Sequence, residues 1–223
     1  MKTYNKLVAF LFVFLLTQNS FSQTQGVSTM QGTAHDFNAA PATTWNTTGE
    51  MCVVCHTPHN SDVTVLDAPL WNHQVSTVGD YALYSSATFD GTALSQPDGS
   101  SKLCLSCHDG TVALENFGGV TTGTNFMPVA RQMGDAGIAA GDLVGLSNDH
   151  PISFTWNAAD LGLWATTDPS GITGGTTIAA DMLEGGTRMQ CSSCHDVHNA
   201  NSVAGLLVKD NTGSALCLTC HKK

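Results

Sequence analysis

The sequence predicts a fold of mostly irregular loops with a few short helices, wrapped around covalently attached groups. Three observations predict it. All eight cysteines fall in four Cys-x-x-Cys pairs, glycine accounts for 22 of the 223 residues, and sustained helical or strand periodicity is scarce. Because so irregular a chain gains little from an ordinary apolar core, we expect attached groups to supply buried surface and covalent links.

The first 22 residues have the three-part pattern of a secretory signal peptide. Lys2 and Lys6 supply positive charge, residues 7–16 are an unbroken apolar run, and small residues suit cleavage after Ser22. A membrane anchor is the alternative, but this run is shorter than the about 20 residues that span a bilayer. We therefore expect an exported mature chain, residues 23–223, without a membrane span.

Each Cys-x-x-Cys pair is followed at once by histidine, which is the attachment signature of c-type haem. The two thiols add to the vinyl groups of one porphyrin, and the histidine becomes the proximal ligand of its iron. Zinc sites place no demand on the residue after the pair, and a disulfide within one pair closes too small a loop to stabilise much. We therefore predict four haem c groups and a multihaem cytochrome c fold in which the loops wrap around their stack. The attachment residues are Cys52, Cys55, Cys104, Cys107, Cys191, Cys194, Cys217 and Cys220, and the proximal ligands are His56, His108, His195 and His221.

The tetrahaem domain is expected to contain two two-haem units, at about residues 30–117 and 148–223. The first and third motifs are both followed by His-Asn after two intervening residues, which indicates an internal repeat. A loop region rich in glycine and threonine joins the two units.

Regular elements are expected to be few and short. Periodicity and turn residues predict helices over 98–108 and 214–221. Brief strands are expected over 81–84 and 153–156.

Five histidines remain once the motifs are complete, and four irons need four distal ligands. The supply therefore leaves one histidine to spare, which predicts six-coordinate, low-spin haems without an open position for catalysis. Methionine is the alternative axial ligand, but the histidines suffice and the methionines are expected to be apolar filler. The five candidates are His35, His59, His73, His150 and His198.

The spacing of two candidates limits what they can ligate. His59 and His198 each lie three residues after a motif histidine. Such a segment reaches at most about 10 Å, which is too short to pass around a porphyrin edge to the same iron, so each must ligate a different haem. We expect His73 and His150 to reach distal positions within the subunit. His59 is the candidate for donation to a second subunit; alternatively it serves another haem of its own chain, and His35 is the donor or the spare.

The motifs and their surroundings resemble the doubled-motif multihaem c-type cytochromes, and more narrowly the four-haem subunits of extracellular cytochrome nanowires. The resemblance implies a loop-dominated fold, a continuous chain of bis-histidine haems and one axial histidine donated across the subunit boundary. It rests on segments 35–37, 55–60, 69–73, 103–113, 148–154 and 194–199.

These features predict an electron-transfer protein and not an enzyme. The leading hypothesis is a subunit of an extracellular conductive filament; the alternative is a monomeric periplasmic carrier or the electron-input subunit of a reductase. Expected partners are redox proteins or an extracellular electron acceptor, with a homopolymer as a further possibility. A formal charge of −10 without a basic cluster argues against nucleic acid as a partner.

Overall fold

The computed structural model describes residues 29–93, 96–133 and 145–222. The signal peptide expected at residues 1–22 lies outside these ranges. Most of the described backbone consists of turns and irregular segments, as the sequence predicts. Within the described ranges, no helix is long and apolar enough to cross a membrane.

Three short α-helices lie wholly within the described ranges: α1 is Gly99–His108, α2 is Ile178–Met182 and α3 is Cys217–Cys220. The prediction of a helix over 98–108 is confirmed by α1. The helix expected over 214–221 is shorter, because positive φ angles at Gly213 and Ser214 interrupt the helical path before α3. Single 3₁₀ turns lie at Ala42–Thr44, Cys52–Val54, Val129–Arg131, Cys191–Ser193, Ala204–Leu206 and Thr212–Ser214.

Five two-residue strands form two small sheets: β1 is Ala82–Leu83, β2 is Thr92–Ala93, β3 is Gly145–Leu146, β4 is Phe154–Thr155 and β5 is Arg188–Met189. Strand β1 pairs in parallel with β3. Strand β4 lies between β2 and β5 and is antiparallel to both. The strands expected over 81–84 and 153–156 are confirmed as β1 and β4. The pairing of β2 with β4 ties the first half of the chain to the second.

Apolar side chains form two separate clusters. The smaller one, around Tyr81, Leu105 and Leu146, lies against α1. The larger one gathers residues from β4, α2, β5 and α3, and it holds the third and fourth motifs together. Its buried members are Phe154, Trp156, Ile178, Met182, Leu183, Met189, Val208, Leu216 and Cys220.

Candidate haem-binding sites

Each of the four motifs forms one helical turn. The first and third are the 3₁₀ turns Cys52–Val54 and Cys191–Ser193, the second is the last turn of α1, and the fourth is α3. One helical turn places residues three and four positions apart on the same face. Both thiols and the following histidine of a motif therefore lie on one side of the backbone, as attachment to a single porphyrin requires.

Three motif histidines turn the same ring nitrogen towards the backbone. The Nδ1 atom lies 2.6 Å from the Pro69 carbonyl oxygen in His56, 2.9 Å from that of Arg131 in His108 and 3.1 Å from that of Gly205 in His195. Because a carbonyl oxygen only accepts, the proton is on Nδ1 and the lone pair is on Nε2. These contacts orient each ring for binding iron through Nε2.

Thiols of consecutive motifs lie close together. Burial raises the pKa of Cys107, and the neighbouring Cys55 of the first motif raises it further. In the same way, burial and then Cys217 of the fourth motif raise the pKa of Cys194. The first motif thus neighbours the second, and the third neighbours the fourth.

The second and third motifs are joined by direct contacts. The Cys104 and Cys191 thiols are neighbours, and their interaction raises the pKa of Cys104 and lowers that of Cys191. The buried Ser101 hydroxyl donates to Gln190 Oε1 at 2.5 Å and accepts from the Cys191 amide at 3.0 Å. Each motif therefore lies beside the next motif of the chain.

Three pairs of histidine rings face each other at nearly the same separation. Two metal–nitrogen bonds of about 2 Å and two ring radii of about 1 Å separate the ring centres of axial ligands by about 6 Å. Each pair joins one motif histidine to one of the five remaining histidines. The pairs are His35 with His108 at 6.1 Å, His56 with His198 at 6.2 Å and His150 with His221 at 6.3 Å.

The other three histidines are not paired in this way. Among the described residues, which include all nine histidines, no second histidine ring lies opposite His195 at this spacing. His59 is exposed. His73 is 1% exposed, and its Nε2 atom lies 3.6 Å from the Cys107 sulfur. The structure thus brings together three of the five distal candidates with motif histidines, and leaves His59 and His73 apart from them.

A cavity of about 870 Å³ lies beside the second and third motifs, with His35, His108 and His195 in its wall. Burial, and then the nearby His108, His195 and His198, lower the pKa of His35 to about 4. Apolar side chains, among them Leu105, also line the cavity. Such a wall, with thiols and imidazoles at its edges, fits an apolar macrocycle that binds iron.

The sequence does not reveal the groups that orient the histidines. Three motif histidines are oriented by backbone carbonyls, which carry no signal in the sequence. Asp36 follows a candidate ligand, but its carboxylate accepts from the backbone amides of Gly32 and Asn38. Asp196 comes nearer to a ligand, because its Oδ1 lies 3.8 Å from His198 Nδ1.

Residues 185–223 match the family model described as the doubled CXXCH motif. The match includes the third and fourth motifs. This segment is consistent with a multihaem c-type cytochrome. Its motifs imply covalently bound haem c, and with it a role in electron transfer. No curated protein matches the chain.

Proposed function

We propose that the chain transfers electrons through four covalently bound haems, each between two histidines, as the subunit of a head-to-tail polymer outside the cell. The histidine pairs support the ligand assignment. The first motif's haem takes His198 as its distal ligand, the second takes His35 and the fourth takes His150. With both axial positions filled by the protein, iron exchanges electrons and does not bind a substrate.

The segment 195–198 carries the argument for a polymer. Its first histidine, His195, is the proximal ligand of the third haem, and its last, His198, faces His56 of the first motif. In the ligation we propose, this segment lies between the faces of two haems. Because a three-residue segment cannot bridge both faces of one haem, the arrangement stacks the third haem on the first.

The segment 56–59 repeats the spacing of segment 195–198. Its last residue, His59, is not paired with a motif histidine in the described part of the chain. His56 takes the proximal position on the first haem, so His59, three residues on, cannot reach the distal side of that haem. His195 is the motif histidine without an opposite ring among the described residues, and His59 is exposed whereas His73 is buried. We therefore propose that His59 of one copy ligates the third haem of the next copy.

This contact repeats from one copy to the next. The donor surface around His59 differs from the acceptor surface around His195, so the contact is heterologous and extends into a filament unless its rotation closes a ring. The chain beyond His59 carries three exposed apolar side chains, Val63, Leu66 and Leu70. A group of exposed apolar residues is typical of a protein interface.

The experiment is the substitution His59→Ala in the secreted protein, with Asn60→Gly as the control, because Asn60 has a positive φ that glycine adopts without strain. The wild-type protein and the control should form filaments in negative-stain micrographs. His59→Ala should give a monomer that retains four haems by mass and has one high-spin iron in its absorption spectrum. Filaments that persist in His59→Ala contradict the bridging role, and a wild-type protein that stays monomeric favours a periplasmic carrier instead.

A further inference from the structure

The three histidine pairs differ in the angle between their ring planes. The rings of one pair are nearly parallel, whereas those of the other two are closer to perpendicular. The interplanar angle is 12° for His56 and His198, 86° for His35 and His108, and 70° for His150 and His221.

This angle affects the iron that a pair would hold. Parallel imidazole planes direct both ligand π systems onto the same iron d orbital, so the two d orbitals that accept them differ in energy. Perpendicular planes act on both orbitals equally and leave them nearly degenerate. The larger splitting stabilises the ferric ion, so parallel rings favour a lower reduction potential, one of several levers by which a protein tunes haem.

A second difference between these histidine pairs also favours a lower reduction potential for the haem between His56 and His198. The Asp196 carboxylate lies 3.8 Å from Nδ1 of His198. A negative charge beside an axial ligand stabilises the oxidised, more positive state, although exposure to solvent weakens the effect. By contrast, Nδ1 of His35 is buried without a hydrogen-bond partner among the described residues.

We infer that His56 and His198 hold a haem of lower reduction potential than the haem held by His35 and His108, so that electrons pass downhill from the first motif to the second. This inference rests on the ligand pairs of the proposed function, but not on the polymer. The thiols Cys55 and Cys107 of the two motifs are neighbours, so the two haems are expected to exchange electrons directly.

Electron paramagnetic resonance of the oxidised holoprotein tests the inference at a series of applied potentials. The parallel pair should give a rhombic low-spin signal with three resolved g values, and the near-perpendicular pairs should give signals with a single large g value. On stepwise reduction, the large-g signals should disappear before the rhombic signal. His198→Ala should remove a rhombic signal, and His35→Ala should remove a large-g signal.

Two carboxylate substitutions provide a matched comparison that keeps all ligands. Asp196→Asn should shift the midpoint potential of the rhombic signal upwards. Asp36→Asn should leave all midpoints unchanged, because that carboxylate contacts backbone amides and not His35. A rhombic signal that titrates with or above the large-g signals, or that does not move in Asp196→Asn, overturns the inference.

The outcome is distinguishable from failure of the proposed function. Filament formation is observed by microscopy and haem number by mass, whereas the order of reduction is observed by resonance. A monomer with the expected order of reduction overturns the polymer alone. Four haems in a filament with the reverse order overturn the inference alone.

Discussion

At the scale of single residues, the direction of each histidine ring decides which nitrogen is free to bind iron. His150 has the same arrangement as three of the motif histidines, because its Nδ1 lies 2.9 Å from the carbonyl oxygen of Pro151. Its ring faces His221 at 6.3 Å. His73 also turns Nδ1 to a carbonyl, that of Gln74, but Nε2 faces the sulfur of Cys107. The two loop histidines therefore differ in what lies opposite Nε2.

We expect His150→Ala and His73→Ala to have different spectra. His150→Ala should convert one haem to the high-spin form, because it removes the ring opposite His221. His73→Ala should keep all haems low-spin but lower the free energy of unfolding by about 2–5 kcal/mol, as for other large buried side chains. Absorption spectra and denaturant unfolding of the holoproteins measure both effects. A high-spin haem in His73→Ala would instead assign that histidine to an iron.

The sequence predicts the motif residues but not the histidine pairs. Spacing within a motif is a local property, so the attachment cysteines and proximal histidines can be read directly from the chain. The partner of a distal histidine depends on contacts between distant segments, as for His56 and His198. Spacing excludes only the haem of the immediately preceding motif as the partner of a distal histidine. The structure shows which motif histidine the ring faces.

At the scale of elements, α1 and the 3₁₀ turn of the third motif are held together by a buried polar network. Gln190 is 1% exposed, and its Oε1 accepts from the hydroxyls of Ser101 and Ser153. The Ser101 hydroxyl also accepts from the Cys191 amide. This network fixes the distance between the second and third motifs, and therefore between the haems they attach.

Removing the Ser101 hydroxyl tests whether this network stabilises the fold. Ser101→Ala should lower the free energy of unfolding by about 1–3 kcal/mol, because it leaves the buried Cys191 amide without an acceptor. Ser100→Ala is the matched control: its hydroxyl contacts Ser192 Oγ at the surface, and the expected change is below about 0.5 kcal/mol. Denaturant unfolding of the holoproteins measures the difference. Equal effects of the two substitutions would show that the network does not hold the motifs together.

The sequence correctly predicts a helix or strand where that element depends on residues close to it in the chain. Helix α1 and strands β1 and β4 lie within the ranges expected from periodicity. The helix expected over 214–221 is shorter than its periodicity predicts, because Ser214 adopts a positive φ outside the helical region. The network around Gln190 has no local signal, since its partners come from three separate segments.

At the scale of the whole molecule, the apolar core of the described residues is divided, with two separate clusters in place of one continuous core. The second and third motifs line a shared cavity, which is consistent with attached haems as the main buried surface. The sequence predicts this organisation from the motif count and the internal repeat. It does not predict which surfaces remain exposed, because exposure depends on how the loops fold back over the motifs.

Exposed leucines on two loops provide the test of the proposed polymer. Leu66 is 77% exposed and lies on the loop that follows His59. Leu161 is 90% exposed and lies near the fourth motif, because the carbonyl of the adjacent Gly162 accepts from the amide of Lys222. Both substitutions to aspartate add the same charge, and neither should disturb the fold, because both side chains are on the surface.

If the loop after His59 meets the next copy, Leu66→Asp should shorten or abolish filaments by burying an unpaired charge there, whereas Leu161→Asp should leave them intact. Filament length in negative-stain micrographs and the monomer fraction in size-exclusion chromatography measure the effect, with the haem spectrum as the check on folding. Loss of filaments in Leu161→Asp alone would move the interface to the fourth motif and contradict donation from His59.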